Sequence, residues 1–354
     1  MLTKYRKHID AVYRLRGELI TRLGKLRLDK NERINRFPTD VLEFLKNKID
    51  SDLITAYPET EPLYLKLSKY HNAKPENFLI TTGADGGIRY CFDTFVNEGD
   101  EIVFLSPTFA MVDIYATLWK TNKKIITYAD DLSIQVYDIT SSISDKTSLV
   151  ILANPNSPTG NSLPSNSIQQ IISRAKQFNV PILIDEAYFG FSDTTAEPFL
   201  KDYDNLIIAR TFSKAFGLAG LRIGYLYSNE SLISKMYKFR PMYEVTSVSL
   251  LFADYLLENP GIVTEYIKST RDGLSYLTGV LDRLGLSYIP TDTNFIHVNF
   301  GGKKDSAVKI FEKNSLLVRG GLPFKGYENF LRLTIGPKEQ MMILENSLNE
   351  IVGS

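Results

Sequence analysis

A single cysteine, Cys91, leaves an internal disulfide without a partner, and three scattered histidines, His8, His71 and His297, cannot supply a zinc-spaced cluster. Structural disulfides and a resident metal are therefore not expected. A lone thiol suits a reducing compartment, so the expected location is cytoplasmic. Long hydrophobic runs are also missing: the longest, such as LVILA at 149–153, fall far short of the roughly 18 residues that cross a bilayer. Net charge is zero, with 44% hydrophobic and 23% charged residues, which excludes disordered and fibrous classes. Nothing resembles a nucleic-acid-binding module.

The charge is unevenly placed. Residues 1–28 carry Lys4, Arg6, Lys7, Arg14, Arg16, Arg22, Lys25 and Arg27 against only Asp10 and Glu18, a net +6 that the remainder balances. Such a start can imitate a transit peptide or a membrane-surface helix. We read it instead as a partly helical arm that packs through a stripe of Val12, Leu15, Leu19, Ile20 and Leu23. From residue 78 the chain alternates short apolar runs with helical stretches: FLIT, EIVFLS, KIITY, SLVILAN, PILIDEAY, NLIIART and RIGYLYS. Runs apolar throughout are strands covered on both faces, so the alternation predicts an α/β architecture with a mostly parallel sheet between helices. After about residue 240 the pattern changes to a long helical stretch over 245–284, short strands within SYIPTDTNFIHVNF, LLVRGG and FLRLTIG, and a closing helix at 338–352. The expected division is an arm at 1–28, a large domain at 29–240 and a small α+β domain at 241–354, completed by part of the N-terminal segment.

In open α/β sheets ligands sit at the carboxyl ends of the strands, and there the polar residues gather. After FLIT, TGADGGIRY begins a helix whose free amides can hold an anion such as phosphate. After EIVFLS, PTFAM presents Phe109. NPNSPTG at 154–160 follows SLVILA, and Asp185 and Tyr188 follow PILI. In RTFSKAFGLAGLRIGY, Lys214 comes just past a buried strand, with Thr211 and Ser213 beside it and Arg222 beyond a glycine turn. A lysine there is costly unless it snorkels, pairs or is consumed by chemistry, and the chemistry that consumes an amine is Schiff-base formation with an aldehyde. Pyridoxal 5′-phosphate has that aldehyde, a phosphate for Thr211, Ser213 and Arg222, and a ring nitrogen for Asp185. Tyr188 would reach the ring hydroxyl and Phe109 the ring face.

TFSKAFGLAGLRIGY, DEAY, NPNSPTG, PTFAM and FLRLTIG together resemble the class I and II, fold type I, pyridoxal-phosphate-dependent aminotransferases, most closely the histidinol-phosphate aminotransferase branch, over roughly residues 28–350. The resemblance implies a large domain with a seven-stranded, mostly parallel sheet sandwiched by helices, a small α+β domain, and a homodimer. It makes Lys214 the cofactor-bearing lysine, Asp185 the partner of the ring nitrogen and Tyr188 the donor to the ring hydroxyl. It adds the Ala84 and Asp85 amides, Thr211, Ser213 and Arg222 at the phosphate, and Tyr57 reaching the neighbouring subunit's phosphate. Arg332 would grip a substrate carboxylate, and Arg319 the distal part of the substrate. Three departures stand out. Ser157 precedes PTG where relatives usually have Asn, so either Asn156 or Ser157 would meet the ring hydroxyl. Gly86 replaces an acid, and NERINRFP at 31–38 stands for NENPYG, losing a tyrosine and adding Arg33 and Arg36. Those two arginines suggest an anionic, phosphate- or phosphonate-like group on the substrate. The expected activity is amino transfer between an amino acid and a 2-oxo acid or related carbonyl compound. A decarboxylase resembling threonine-phosphate decarboxylase is the alternative within the fold, and a non-catalytic protein that keeps the fold is the alternative outside it.

Overall fold

All seven apolar runs are strands in the structure, a computed structural model that describes residues 4–13 and 21–353. After a two-residue strand β1 (Leu26–Arg27) come β2 (Phe78–Thr81), β3 (Glu101–Ser106), β4 (Asn122–Thr127), β5 (Thr147–Ala153), β6 (Ile182–Asp185), β7 (Leu206–Thr211) and β8 (Gly224–Ser228). Strands β2 to β8 form one sheet in the order β2-β8-β7-β6-β5-β3-β4. Only β8 runs against its neighbours, so the other six point the same way. Both faces are covered, and period-two alternation divides the strands between them. Val150, Leu152, Ile182, Ile184, Leu206 and Ile208 enter one hydrophobic cluster. Leu149, Ile151, Leu183, Ile207 and Ala209 enter the other.

The C-terminal part adds β9 (Tyr288–Ile289), β10 (Phe295–Asn299), β11 (Leu316–Leu317), β12 (Arg319–Gly320) and β13 (Phe330–Thr334). Four of these make an antiparallel sheet in the order β12-β13-β10-β9, while β11 pairs in parallel with β1. Leu28, just after β1, is buried among Leu281, Val298, Leu331 and Leu348, so the N-terminal segment is stitched into this second core. The helical stretch expected over 245–284 is two helices, Ser247–Glu258 and Pro260–Arg283. Proline has no N–H and crowds the residue before it out of the α region, and Asn259 accordingly sits at φ −119°, ψ 60°. The break lets Ser247–Glu258 bury Leu250, Ala253 and Leu256 against the main-sheet core. The second helix runs from Tyr266 in that core to Leu277 and Leu281 in the other.

Of the N-terminal stripe, Leu15, Leu19 and Ile20 lie outside the described residues. Leu23 is solvent-exposed, because Arg22–Lys25 turns outward through Gly24 at φ +79°. The described arm is a 3₁₀ turn, Lys7–Ala11, and His8 Nε2 lies 3.0 Å from the Leu118 carbonyl oxygen, which fastens it to the helix Ala110–Leu118. Among the described residues, no helix is long and apolar enough to cross a membrane, and no cluster of His, Cys, Asp or Glu could hold a metal.

Candidate active site

Because six strands share a direction, Thr81, Ser106, Ala153, Asp185 and Thr211 end at one edge, and antiparallel β8 begins there. Gly224 is in register with both Thr81 and Thr211. A Cβ on Gly224 would lie 2.6 Å from the Arg210 carbonyl oxygen and 2.7 Å from the Gly83 carbonyl carbon, so only glycine lets these three backbones meet. That approach brings Arg222, in the left-handed region at φ 52°, over the start of the helix Gly83–Phe95. Thr211 Oγ1 donates to Ser213 Oγ (2.9 Å), and Arg222 Nη1 donates to the same oxygen at 3.3 Å. Arg222 forms no ion pair with a carboxylate among the described residues. Two hydroxyls, an uncompensated guanidinium and the free amides at Ala84 and Asp85 thus converge, an arrangement complementary to a phosphate. Gly224→Ala is expected to cost about 3 kcal/mol in urea unfolding, since the clash is with backbone that cannot rotate away.

The expected glycine turn at 83–87 is already the first turn of the helix. Gly86 and Gly87 allow it to pack: a Cβ on either would fall 2.6 Å from Thr82 Oγ1 or Leu226 Cδ2. The acid missing at Gly86 is supplied through space by Glu244, whose Oε1 accepts from the Thr82 amide at 3.0 Å. Asp85 accepts a hydrogen bond from the Tyr115 hydroxyl, which anchors the same turn.

Lys214 Nζ donates to the Lys30 carbonyl oxygen at 2.9 Å and lies 5.7 Å from the centre of the Tyr188 ring. Burial, reinforced by the nearby Arg332, lowers its pKa to about 8. Asp185 is buried and accepts from the Ala187 amide at 3.0 Å, and it belongs to no ion pair among the described residues. Burial raises its pKa to about 7 against the help of that amide. A carboxylate in this condition is matched to a cationic ring nitrogen. The Tyr188 hydroxyl is buried, bonded by Asn31 Nδ2 (2.8 Å) and by Ser157, and burial raises its pKa.

The side chains at 156 and 157 make different contacts. Asn156 Nδ2 is occupied by the Pro107 carbonyl (3.0 Å) and Thr159 Oγ1 (2.8 Å), and Oδ1 accepts from Thr108 (2.8 Å). It is a brace for the loop, and Ser157 is the side chain beside Tyr188. That brace also holds the segment leading to Phe109, which is 38% exposed at the start of its helix. Across the small sheet, His297, Arg332 and Arg319 are in register on three adjacent strands. Arg332 Nη2 donates to the Asp29 carbonyl at 2.8 Å, while its buried Nε has no partner. The His297 imidazole is its cross-strand neighbour, Nε2 facing the Pro158 carbonyl at 2.7 Å, and burial lowers its pKa to about 4, which keeps it neutral.

One expected ligand is placed otherwise. Arg33 is buried between the rings of Phe37 and Tyr266, 4.2 and 4.3 Å from their centres, so its guanidinium is held by cation–π packing and not presented to a substrate. Arg36 is exposed. Tyr57 does not join the site within one chain. It is 72% exposed and stacked on Tyr243 at 3.9 Å. Asn31, Glu244 and His297 were not anticipated. Their partners lie far away in the sequence, and even for Asn31, which opens the NERINRFP stretch, the local pattern does not name the partner.

A lysine amine, a carboxylate lacking a cation and an anion-binding corner at one sheet edge fit pyridoxal 5′-phosphate, and with this fold they define a fold type I pyridoxal-phosphate enzyme. Residues 26–348 match the family "Aminotransferase class I and II". Similar proteins include the histidinol-phosphate aminotransferase of Caldanaerobacter subterraneus subsp. tengcongensis, 30% identical with 93% of each chain covered. Histidinol-phosphate aminotransferase 1 of Carboxydothermus hydrogenoformans is 32% identical, again with 93% of each chain covered. The crystal structure of the Sinorhizobium meliloti histidinol-phosphate aminotransferase in complex with pyridoxal 5′-phosphate superposes with a TM-score of 0.86 at 23% identity, covering 100% of this chain and 98% of that one. The chain belongs to the class I and II aminotransferases, and it is a pyridoxal-phosphate-dependent enzyme that transfers an amino group between small molecules.

Proposed function

We propose that the enzyme transfers an amino group from an amino substrate bearing a phosphate- or phosphonate-like anion to a 2-oxo acid, as a histidinol-phosphate aminotransferase would. The observation that carries this is the pair Arg319 and Arg332, directly opposite on β12 and β13 with no ion pair to either among the described residues. Like charges side by side repel, and the lowered pKa of Arg332 reflects first its burial and then that neighbour. Anions on the substrate relieve both costs. Arg332 would take a carboxylate in its two-donor fork, and Arg319, nearer solvent, the distal anion.

When bound, pyridoxal phosphate supplies an electron-withdrawing ring that stabilises charge left at the substrate Cα. Thr211, Ser213, Arg222 and the Ala84 and Asp85 amides would hold its phosphate, Asp185 its ring nitrogen, and Tyr188 with Ser157 its ring hydroxyl, under Phe109. Lys214 Nζ, whose pKa is lowered to about 8 because burial and Arg332 disfavour its charge, gives up its proton far more readily than an ordinary lysine and, once deprotonated, would take the proton from the substrate Cα. We infer a large domain up to about residue 240 and a small one beyond, the latter completed by the segment around Leu28. Movement of the small sheet would bring Arg332 over the substrate and exclude water. A homodimer is supported by the exposed Ile54, Tyr57, Phe239, Met242 and Tyr243, with Tyr57 extended toward a second copy's phosphate corner. The lone, buried Cys91 supports a cytoplasmic location.

The test is a screen of amino substrates without an acceptor, following loss of the enzyme's visible absorption. Phosphorylated amino substrates should react best, and Arg332→Lys should raise their KM about 10²-fold, the loss of a charge-assisted fork. Equal reaction with alanine would contradict the anionic substrate.

A further inference from the structure

Directly behind the strand ends that carry Asp185 and Thr211 lies a buried charged cluster with no part in the chemistry above. Alternation along β6 and β7 puts Asp185, Ala209 and Thr211 toward one face and Glu186, Ile208 and Arg210 toward the other. Glu186 and Arg210 are each 1% exposed. Arg210 Nε and Nη2 donate to Glu186 Oε2 at 3.0 and 2.8 Å, and Nη2 also donates to Thr195 Oγ1 at 3.0 Å. Nη1 lies 2.8 Å from Glu197 Oε2, close enough for an ion pair though off the line of a hydrogen bond. The Phe189 ring covers the guanidinium at 3.5 Å.

Apart from a bond with the Tyr225 side chain on β8, these contacts of the guanidinium fall on the chain segment that leaves Asp185. Glu186 follows it, Phe189 comes just after Tyr188, and Thr195 and Glu197 are where the segment returns. Glu186 Oε1 closes the loop by accepting from the Ala196 amide at 2.6 Å, and the Glu186 amide extends the β6–β7 ladder by donating to the Ala209 carbonyl at 2.8 Å. His71 ties in the end of the helix Glu61–His71 by facing Glu197 Oε1 (2.8 Å) and the Tyr225 hydroxyl (2.9 Å). Taking two ions from water costs several kcal/mol each, and stability alone is as well served by apolar side chains of the same volume. An arrangement in which one rigid fork clamps both ends of the segment bearing Asp185 and Tyr188 serves geometry instead.

We propose that Arg210 is a positioning residue: through Glu186, Thr195 and Glu197 it fixes, from the far side of the sheet, where Asp185 and Tyr188 meet the cofactor. This rests on the roles proposed above for those two residues. The experiment compares the wild type with the double variant Arg210→Met/Glu186→Leu, which removes the fully buried pair and leaves the partly exposed Glu197 facing His71, and with Thr195→Val, a partly exposed contact whose loss leaves the ions paired. The double variant should keep a cooperative melt within a few degrees of wild type, yet bind pyridoxal phosphate about tenfold more weakly and turn over about 10²-fold more slowly with KM little changed, as expected for misplacement on the order of 1 Å. Its visible band should be shifted and should show less rise in Tm on cofactor addition. Thr195→Val should show the same spectral shift in smaller degree. A double variant that melts as the wild type and keeps wild-type cofactor affinity, spectrum and kcat overturns the proposal. If it does not fold, an unchanged spectrum and kcat in Thr195→Val overturns it equally. Asp185→Asn serves as the control: if that substitution leaves the spectrum and turnover untouched, the reading of Asp185 itself has failed, whereas a large effect there beside none at Arg210 sinks only this inference.

Discussion

Lys214→Ala is expected to lose at least about 10⁴-fold in kcat and to lose covalent attachment of the cofactor, because one amine serves both as the attachment point and as the base. The protein should still bind pyridoxal phosphate, since Arg222, Thr211, Ser213 and the amides at the start of the helix Gly83–Phe95 are untouched. Dialysis should then remove it, as it should not from the wild type. Lys214→Arg should fail equally. It keeps the positive charge, but a guanidinium does not lose its proton and cannot condense with an aldehyde. Visible spectra before and after dialysis, with single-turnover rates, provide the measurement. Persistence of the wild-type band in either variant would contradict the role.

Asp185→Asn is expected to move activity and stability in opposite directions. Turnover should fall by about 10³-fold, the scale for removing one preorganised electrostatic partner, since a neutral amide holds a protonated ring nitrogen poorly. The cofactor-free protein should behave in reverse. Burial raises the Asp185 pKa from 3.8 to about 7, so the folded state binds its proton more tightly than the unfolded chain. Its contribution to stability is whole below about pH 4 and is lost as pH rises through about 7, a difference of up to about 4 kcal/mol. The asparagine variant lacks that loss. Urea unfolding of the cofactor-free proteins at pH 5 and pH 8 should therefore show the wild type weakening at the higher pH and the variant not. Bound cofactor should restore the wild type at pH 8, because a cationic nitrogen favours the ionised acid. Parallel pH profiles for the two cofactor-free proteins would mean that Asp185 is compensated by another group.

The sheet and its chemical edge were legible because both follow from local pattern. Fully apolar runs such as LVILA mark strands covered on both faces, and the first polar residue after each run falls at the edge where a ligand sits. That pointed to Asp185 directly, while Lys214 and Arg222 were read from the lysine and glycine turn between β7 and β8. The helix break within 245–284 was not read, although Pro260 marks it. What else escaped depends on contacts between distant segments. Asn31 reaches Tyr188 across 157 residues and sits at φ 56°, a backbone angle asparagine tolerates and nothing nearby demands. Arg33 has an unremarkable local sequence, and its burial is decided by Tyr266 on a helix of the far end. Glu244 replaces an acid missing at Gly86 from a loop 162 residues beyond Thr82. In each case the chemistry is ordinary and only the meeting of segments is new.

The central claim is that Lys214 Nζ is the amine joined to pyridoxal phosphate. Borohydride reduction of the purified enzyme, followed by proteolysis and mass spectrometry of the peptides, tests it most directly. The account predicts a phosphopyridoxyl adduct on the peptide containing Lys214 and on no other lysine. An adduct at a different lysine, or a cofactor-saturated enzyme that yields none, would contradict it.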